Sequence, residues 1–410
     1  MTAAATAAPT RQARQARAAV AALFLTNGAV FFNVVPRYPQ IKADLDISNA
    51  VLGTAIAGYS IGALVAGLLA GAAIRRFRSA RVAAFGIVTT TIATLAIPVA
   101  PNWIAFGAVL LVVGALDAIV DVAQNAHGLR VQRRYGRSIL NSLHGVWSIG
   151  AVLGGLMGSA AAGLDLPLAV HLGISAATWS LVALVAYRFL LPGPDDAERP
   201  VETRDPATPD RPPADPPARP RGWRTWGRPT LRMLAALSTL AAFGALVEDS
   251  GASWGAIFLT SLHASAAVAG LAVVVFQAAM TIGRLAGDRI VDRFGQRTVA
   301  RTGAALAAVG MGTALAVPSV GTALAGFALA GLGFATLVPA TMHAADELPG
   351  IPHGAGLTIV SWLLRVGLLL SPPLVGFIAD LTSLRVGLLT VVVAGIATFG
   401  LARVFPNRTA

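Results

Sequence analysis

Hydrophobic positions along this chain come in long unbroken blocks. They show neither the spacing of roughly three to four residues that marks a surface helix nor the alternation of a half-buried strand. Each block is near the ~20 residues needed to cross about 30 Å of hydrocarbon. The blocks place membrane helices, to within a few residues at each end, at 18–36, 48–74, 82–100, 103–128, 138–163 and 167–191, and again at 231–260, 264–286, 299–317, 320–345, 355–380 and 384–404. Between the two sets, 192–230 is dense in Pro, Asp and Arg, with pairs at Pro212-Pro213 and Pro216-Pro217, and cannot bury a core. The pattern predicts an all-α integral membrane protein with twelve transmembrane helices in two pseudo-symmetric six-helix bundles, 18–191 and 231–404. A poorly ordered linker, 192–230, joins them, and tails 1–17 and 405–410 flank them.

Charge orients this arrangement. Arg11, Arg14 and Arg17 imitate the basic start of a signal peptide, but the apolar run that follows continues to about Pro36, too long for such a peptide, and reads as the first membrane helix. Of the 31 Lys and Arg residues, Arg37, Lys42 and Arg385 fall on one side, Arg365 lies inside a span, and the remaining 27 fall on the side of the N-terminus. Basic loops stay in the cytoplasm, so both termini and the linker are expected there.

Composition agrees and excludes other classes. Only 12% of residues are charged, about half of the ~25% usual in soluble chains. The net charge of +12 would suggest a nucleic-acid partner in a soluble protein, but here the arginines are accounted for by topology, and no nucleic acid is expected. Cysteine is absent, which removes disulfides, thiolate nucleophiles and cysteine metal sites. The six histidines have no metal-ligand spacing and there is no phosphate-binding loop, so neither a cofactor nor ATP drive is expected. Gly58-Tyr59-Ser60-Ile61-Gly62 fits a hydrolase pattern but lies inside an apolar span without the required strand. No nucleophile and base assemble, so the chain does not read as an enzyme. The excess of Ala, Gly, Arg and Pro with a single lysine, Lys42, suits a GC-rich bacterial genome and hence a bacterial cytoplasmic membrane.

The halves echo one another. Arg75-Arg76-Phe77 recurs as Asp292-Arg293-Phe294 at an offset of 217, and Ala96-Ile97-Pro98 as Ala316-Val317-Pro318 at an offset of 220. Internal duplication of this kind is how many transporters are built, with the site at the interface of the repeats.

Candidate chemistry lies in side chains stranded at membrane depth. Insertion scales put an ionisable group there at about 2.5–3.5 kcal/mol, so it must face a cavity or a partner. Asp117, Asp121, Glu248, Asp249 and Arg365 are such groups. Asp117, Asp121 and Asn125 are spaced four apart and share one helix face. Asp121, Glu248 and Asp117 are the proton-coupling candidates, Asp121 foremost, with structural hydrogen bonding as the competing role. Arg365, one turn beyond Ser361 and Trp362, either grips a substrate with its planar donor fork or pairs with a buried acid. Trp147, Trp254 and Trp362 can stack on a substrate or simply pack, and Asn27, Asn33 and Gln277 can bond a substrate or another helix.

With these residues in view, the chain resembles the major facilitator superfamily over its whole length. The segment Gly287-Asp288-Arg289-Ile290-Val291-Asp292-Arg293-Phe294-Gly295-Gln296-Arg297 looks like the family's conserved loop, which implies a gating role for Asp288, Asp292, Arg293, Gly295 and Arg297. The first-half loop departs from it, with Arg75 at the aspartate position and Arg78 at the glycine position. Three stretches are similar to the fucose-permease-like subgroup: Asp121 to Asn125, Glu248 six residues before Trp254, and His144-Gly145-Val146-Trp147-Ser148, which adds His144 to the binding candidates. Asp249 and Ser253 depart from the second pattern, and Asn33 stands where sugar-proton symporters of this group carry an acid. Gly154 is followed by Gly155, so the glycine-proline motif of drug antiporters is not met. The resemblance implies a secondary transporter, moving a small polar solute with protons by alternating access, and expected to be a monomer in the lipid bilayer. Efflux of drugs or metabolites is the alternative within transport, and a transport-inactive sensor the alternative outside it.

Overall fold

In hydrocarbon every backbone N–H and C=O must be satisfied within the protein, which leaves this apolar chain little choice but helices. The computed structural model describes residues 9–195, 197, 227–348, 351–352 and 354–406. Among them are twelve helices long and apolar enough to cross a membrane: α1 (Arg11–Asp44), α2 (Asn49–Gly67), α3 (Ser79–Val99), α4 (Trp103–Tyr135), α5 (Leu140–Gly163), α6 (Leu168–Tyr187), α7 (Arg228–Ser261), α8 (Ala266–Phe294), α9 (Gln296–Ala316), α10 (Val320–Asp346), α11 (Ala355–Leu381) and α12 (Leu384–Val404). A short helix, Ala70–Phe77, continues α2 beyond a break.

Two helices start before their hydrophobic blocks. α1 begins at Arg11 because Ala13 and Ala16 are buried against the bundle while Arg11 and Arg14 stay outside. α7 begins at Arg228, with Pro229 in the first turn, where its missing N–H costs nothing. Most of the linker expected over 192–230, and the outer parts of both tails, lie outside the described residues.

The duplication is visible in packing. In the first half α1 packs on α5, α2 on α4, and α3 on α4 and α6; in the second half α7 packs on α11, α8 on α10, and α9 on α10 and α12. The register is 217 throughout. A Cβ on Gly114 would stand 2.1 Å from the Tyr59 carbonyl oxygen, and one on Gly331 would stand 2.3 Å from that of Phe276. Gly150 meets Leu25 in the same way, and Gly367 meets Ala242. Asn102 caps α4 and Ser319 caps α10 at the same spacing. The 220 offset is therefore a near miss: the register brings residues 99–101, not Ala96-Ile97-Pro98, into correspondence with Ala316-Val317-Pro318.

The loops expected to gate the transporter share one backbone shape. Gly295, between α8 and α9, has φ +81° and ψ 148°; Arg78, between the short helix and α3, has φ +73° and ψ 149°. Each donates its N–H four residues back, to Val291 or Ile74. Only glycine enters this region freely, so Arg78 holds it under strain.

Two seams join the halves. α2 meets α11, with the place for a Cβ on Gly53 2.3 Å from the Pro372 carbonyl oxygen. α5 meets α8 from Gly163 at Ala267 down to Gly145 at Leu285. The end at which α2 begins and α11 finishes is called the far end, and the end carrying both chain termini the base. At the far end Asp380 of α11 accepts from the backbone N–H groups of Asn49 (2.9 Å) and Ala50 (2.8 Å) and from Asn49 Nδ2 (3.0 Å). Toward the base, the short helix Ala70–Phe77 packs on α3 and α4, and the last part of α10 packs on α7 and α11, each inside its own half.

Candidate functional site

Asn27 organises the first half. It sits in α1, buried, and its amide reaches two further helices. Nδ2 donates to Asp117 Oδ1 of α4 (2.7 Å), while Oδ1 accepts from Trp147 Nε1 of α5 (2.9 Å) and Gln124 Nε2 of α4 (3.4 Å). The second oxygen of Asp117 accepts from the Tyr59 hydroxyl of α2 (2.8 Å). One turn along α4, Asp121 Oδ1 accepts from Asn125 Nδ2 (3.1 Å) and Gln124 Nε2 (3.3 Å). Its Oδ2 bonds no protein atom among the described residues, and the side chain is only half-buried. Both carboxylates are thus held by neutral donors alone. Phe31 lies 4.6 Å from the Tyr59 ring, and Phe32 meets Trp147 edge-on at 6.0 Å.

The second half is built differently. Glu248 of α7 accepts from Arg284 Nη2 of α8 at 3.2 and 3.1 Å, with the side chains 28% and 31% exposed. Exposure of that size lets solvent screen the pair, so it contributes at most about 1 kcal/mol to stability. Asp249, the next residue, points elsewhere and accepts from Ser253 Oγ (2.9 Å). Arg365 and Trp362 are exposed on α11, and Arg365 bonds no protein atom among the described residues. Seven and eleven residues before Pro372 and Gly376, Arg365 lies on the helix face that meets α2 further along.

Several expectations meet a different placement. Trp254 is fully buried in the core, where it packs rather than lines the gap between the halves. Six residues from Glu248 is 240° around the helix, so the two cannot share a face. Asn33 is also fully buried, bonded through Oδ1 to His171 Nε2 of α6 (2.9 Å). Gln277 is buried with no protein partner for either amide atom. His144 is exposed beside Phe24, in an edge contact at 5.2 Å. Of the loop residues, Asp288, Asp292 and Arg293 are exposed on the last turns of α8, and Gly295 makes the turn. Arg297 donates to the carbonyls of Arg403 (2.7 Å) and Phe405 (2.8 Å), tying α9 to the end of α12 within the second half.

Three participants escaped the sequence reading. Arg284 lies near the end of its apolar block, 264–286, among the basic residues expected on the side of the N-terminus; its place one turn before Asp288 is the signal that marks it. Tyr59 hid inside the discarded Gly-Tyr-Ser-Ile-Gly stretch, and Gln124 stood unremarked beside Asn125.

Comparison with known proteins decides the family. The Major Facilitator Superfamily profile matches residues 20–248 and 248–410, nearly the entire chain. The chain belongs to the major facilitator superfamily. It is 30% identical over 356 residues to an uncharacterised transporter of this superfamily from Yersinia pestis, covering 86% of this chain and 85% of that one. It is also 30% identical over 391 residues to the membrane protein MosC of Rhizobium meliloti, covering 95% and 90%. Solved members share the fold at lower identity. The nucleoside transporter NupG aligns with a TM-score of 0.69 at 15% identity over 96% of this chain and 98% of its own. A D-xylose-proton symporter aligns at 0.68 and 16% over 97% and 98%. The two six-helix bundles are the superfamily fold, and membership makes the chain a membrane transporter rather than an enzyme.

Proposed function

We propose that the chain is a secondary active transporter that carries a small polar solute by alternating access and couples it to protons through Asp121. The observation that carries this reading is the free Oδ2 of Asp121, half-buried beside Gln124 and Asn125, on a carboxylate held only by neutral donors. Such a group can take and release a proton without stranding a partner charge. Asp117, sealed by Asn27 and Tyr59, holds the helix positions, and Arg365 and Trp362 across the gap receive the solute. The nucleoside transporter and the xylose-proton symporter among its structural neighbours carry polar solutes on this fold, which supports the solute class. The fucose-permease-like placement rests on the stretches around Asp121, His144 and Glu248. We further assign both termini to the cytoplasm of a bacterial inner membrane, because 27 basic residues gather on that side.

The test uses the purified chain in liposomes and a solute found by thermal-shift screening against sugars, organic anions and cationic drugs. Wild type accumulates the solute when a proton gradient is imposed. Asp121→Asn, which keeps size and hydrogen bonding, retains exchange between equilibrated compartments but loses accumulation. Accumulation with unchanged pH dependence in that variant makes Asp121 structural and moves coupling to Glu248. Solute binding without movement across the membrane favours the sensor.

A further inference from the structure

Arg37 closes a one-turn 3-10 segment, Val35–Arg37, in the far-end part of α1 and is buried to all but 2% of its surface. Its Nη2 donates to the Leu166 carbonyl (2.7 Å) and to Gln40 Oε1. Nε and Nη1 are buried and meet no acceptor among the described residues. One helical turn earlier on the same face, Asn33 Nδ2 is buried and equally unpartnered, while its Oδ1 bonds His171. Three N–H-bearing nitrogens, one turn of helix apart, therefore lack an acceptor. The carboxylates of Asp44 and Asp165 act on Arg37 through space, but both are exposed and neither bonds it.

A buried guanidinium with open donors is costly unless an anion meets it. Beside it is a cavity of about 370 Å³ at the far end, lined from the first half by Arg37, Gln40, Leu166 and the exposed Asp165, which does not bond Arg37, and from the second half by Thr260, Ala266 and Ala269. Planar, forked donors match the geometry of a carboxylate or phosphate group.

We propose that this cavity is an oxyanion-binding site, in which Arg37 holds a carboxylate or phosphate group between the two halves. The group comes from a free solute or from the headgroup of an anionic lipid. Since the cavity walls belong to both halves, occupancy fastens the far end shut. That last consequence rests on the alternating-access reading above; the binding does not.

The experiment measures the unfolding midpoint of the delipidated full chain in detergent against sodium phosphate and sodium acetate, with sodium chloride at equal ionic strength as reference. A second arm compares phosphatidylglycerol with phosphatidylcholine nanodiscs. The expected result is a saturable rise in midpoint with an oxyanion over chloride, or with phosphatidylglycerol over phosphatidylcholine, the arm that responds naming the source. The rise disappears in Arg37→Gln and in Ala266→Phe. Ala266 is exposed at the start of α8, so the phenylalanine fills the cavity from the opposite half while leaving Arg37 unsubstituted, and it decides the matter if Arg37→Gln fails to fold. No rise in either arm, or a rise that Ala266→Phe leaves intact, overturns the site. Neither outcome depends on whether the protein transports.

Discussion

In the first half, Asp117 takes its hydrogen bonds from Asn27 and Tyr59, and Asp121 from Gln124 and Asn125. In the second, Glu248 takes both of its bonds from a guanidinium, that of Arg284. On the proposed coupling, that difference sets which carboxylate carries the proton. A proton arriving on Asp121 weakens two bonds from neutral amides and strands nothing. A proton arriving on Glu248 leaves Arg284 without its counter-charge. Asp121 and Glu248 are both partly buried, so what separates them is the charge of the groups that bond them.

The largest effect should come from Asp121→Asn, which abolishes gradient-driven accumulation while the same liposomes still exchange labelled solute. The matching change in the other half, Glu248→Gln, should lower transport only in proportion to the loss of the pair and leave accumulation in place. Should the two variants behave alike, the contrast between the halves has no functional meaning.

Next in size is Asp117→Ala. It leaves the Asn27 amide and the Tyr59 hydroxyl without their acceptor, at a cost of about 2 kcal/mol, read as a lowered unfolding midpoint. Glu248→Ala, whose pair is about a third exposed, should cost under about 1 kcal/mol. Reversal of that order would mean the ion pair is the stronger brace.

Arg365→Lys keeps the charge but loses the fork, and should weaken solute binding about tenfold, or ~1.4 kcal/mol, in isothermal titration. Its folding stability should not change, because the guanidinium bonds no protein atom. A drop in stability without a drop in affinity would return Arg365 to a structural role.

The twin turns predict effects of opposite sign. Arg78→Gly relieves a backbone that only glycine enters freely and should stabilise by about 1 kcal/mol, whereas Gly295→Ala should destabilise by about 1–2 kcal/mol. Denaturation in mixed micelles separates the two signs.

Helix number and the twofold division were legible because lipid imposes a length and an apolar composition on every span. The Asp117, Asp121, Asn125 face was legible because a spacing of four needs no tertiary knowledge. What the sequence withheld is rotation about each axis: Asn33 and Trp254 are as deep as Asn27 and Trp147, but they turn into the protein instead of toward the hub or the gap. Rotation within one helix could have been worked out, as the 240° between Glu248 and Trp254 shows. Pairing between helices could not, which is why Arg284 passed for a loop arginine and why a far-end basic residue, Arg37, turned out to be interior.

Helix α11 contains Pro372 and Pro373 in its interior, each without an N–H to give to the turn before. They divide the helix into two levers. On one side Asp380 is pinned to the start of α2; on the other Arg365 is tethered to nothing. Seven residues of rise put Arg365 about 11 Å from the joint, so a tilt of about 10° there carries the guanidinium about 2 Å sideways, the difference between touching a ligand and reaching it through a water. On the solute-binding role proposed for Arg365, the hand that grips and the wrist that stays still are parts of a single helix, and a glycine or alanine at the joint would be felt at the fingertips before it was felt in the fold.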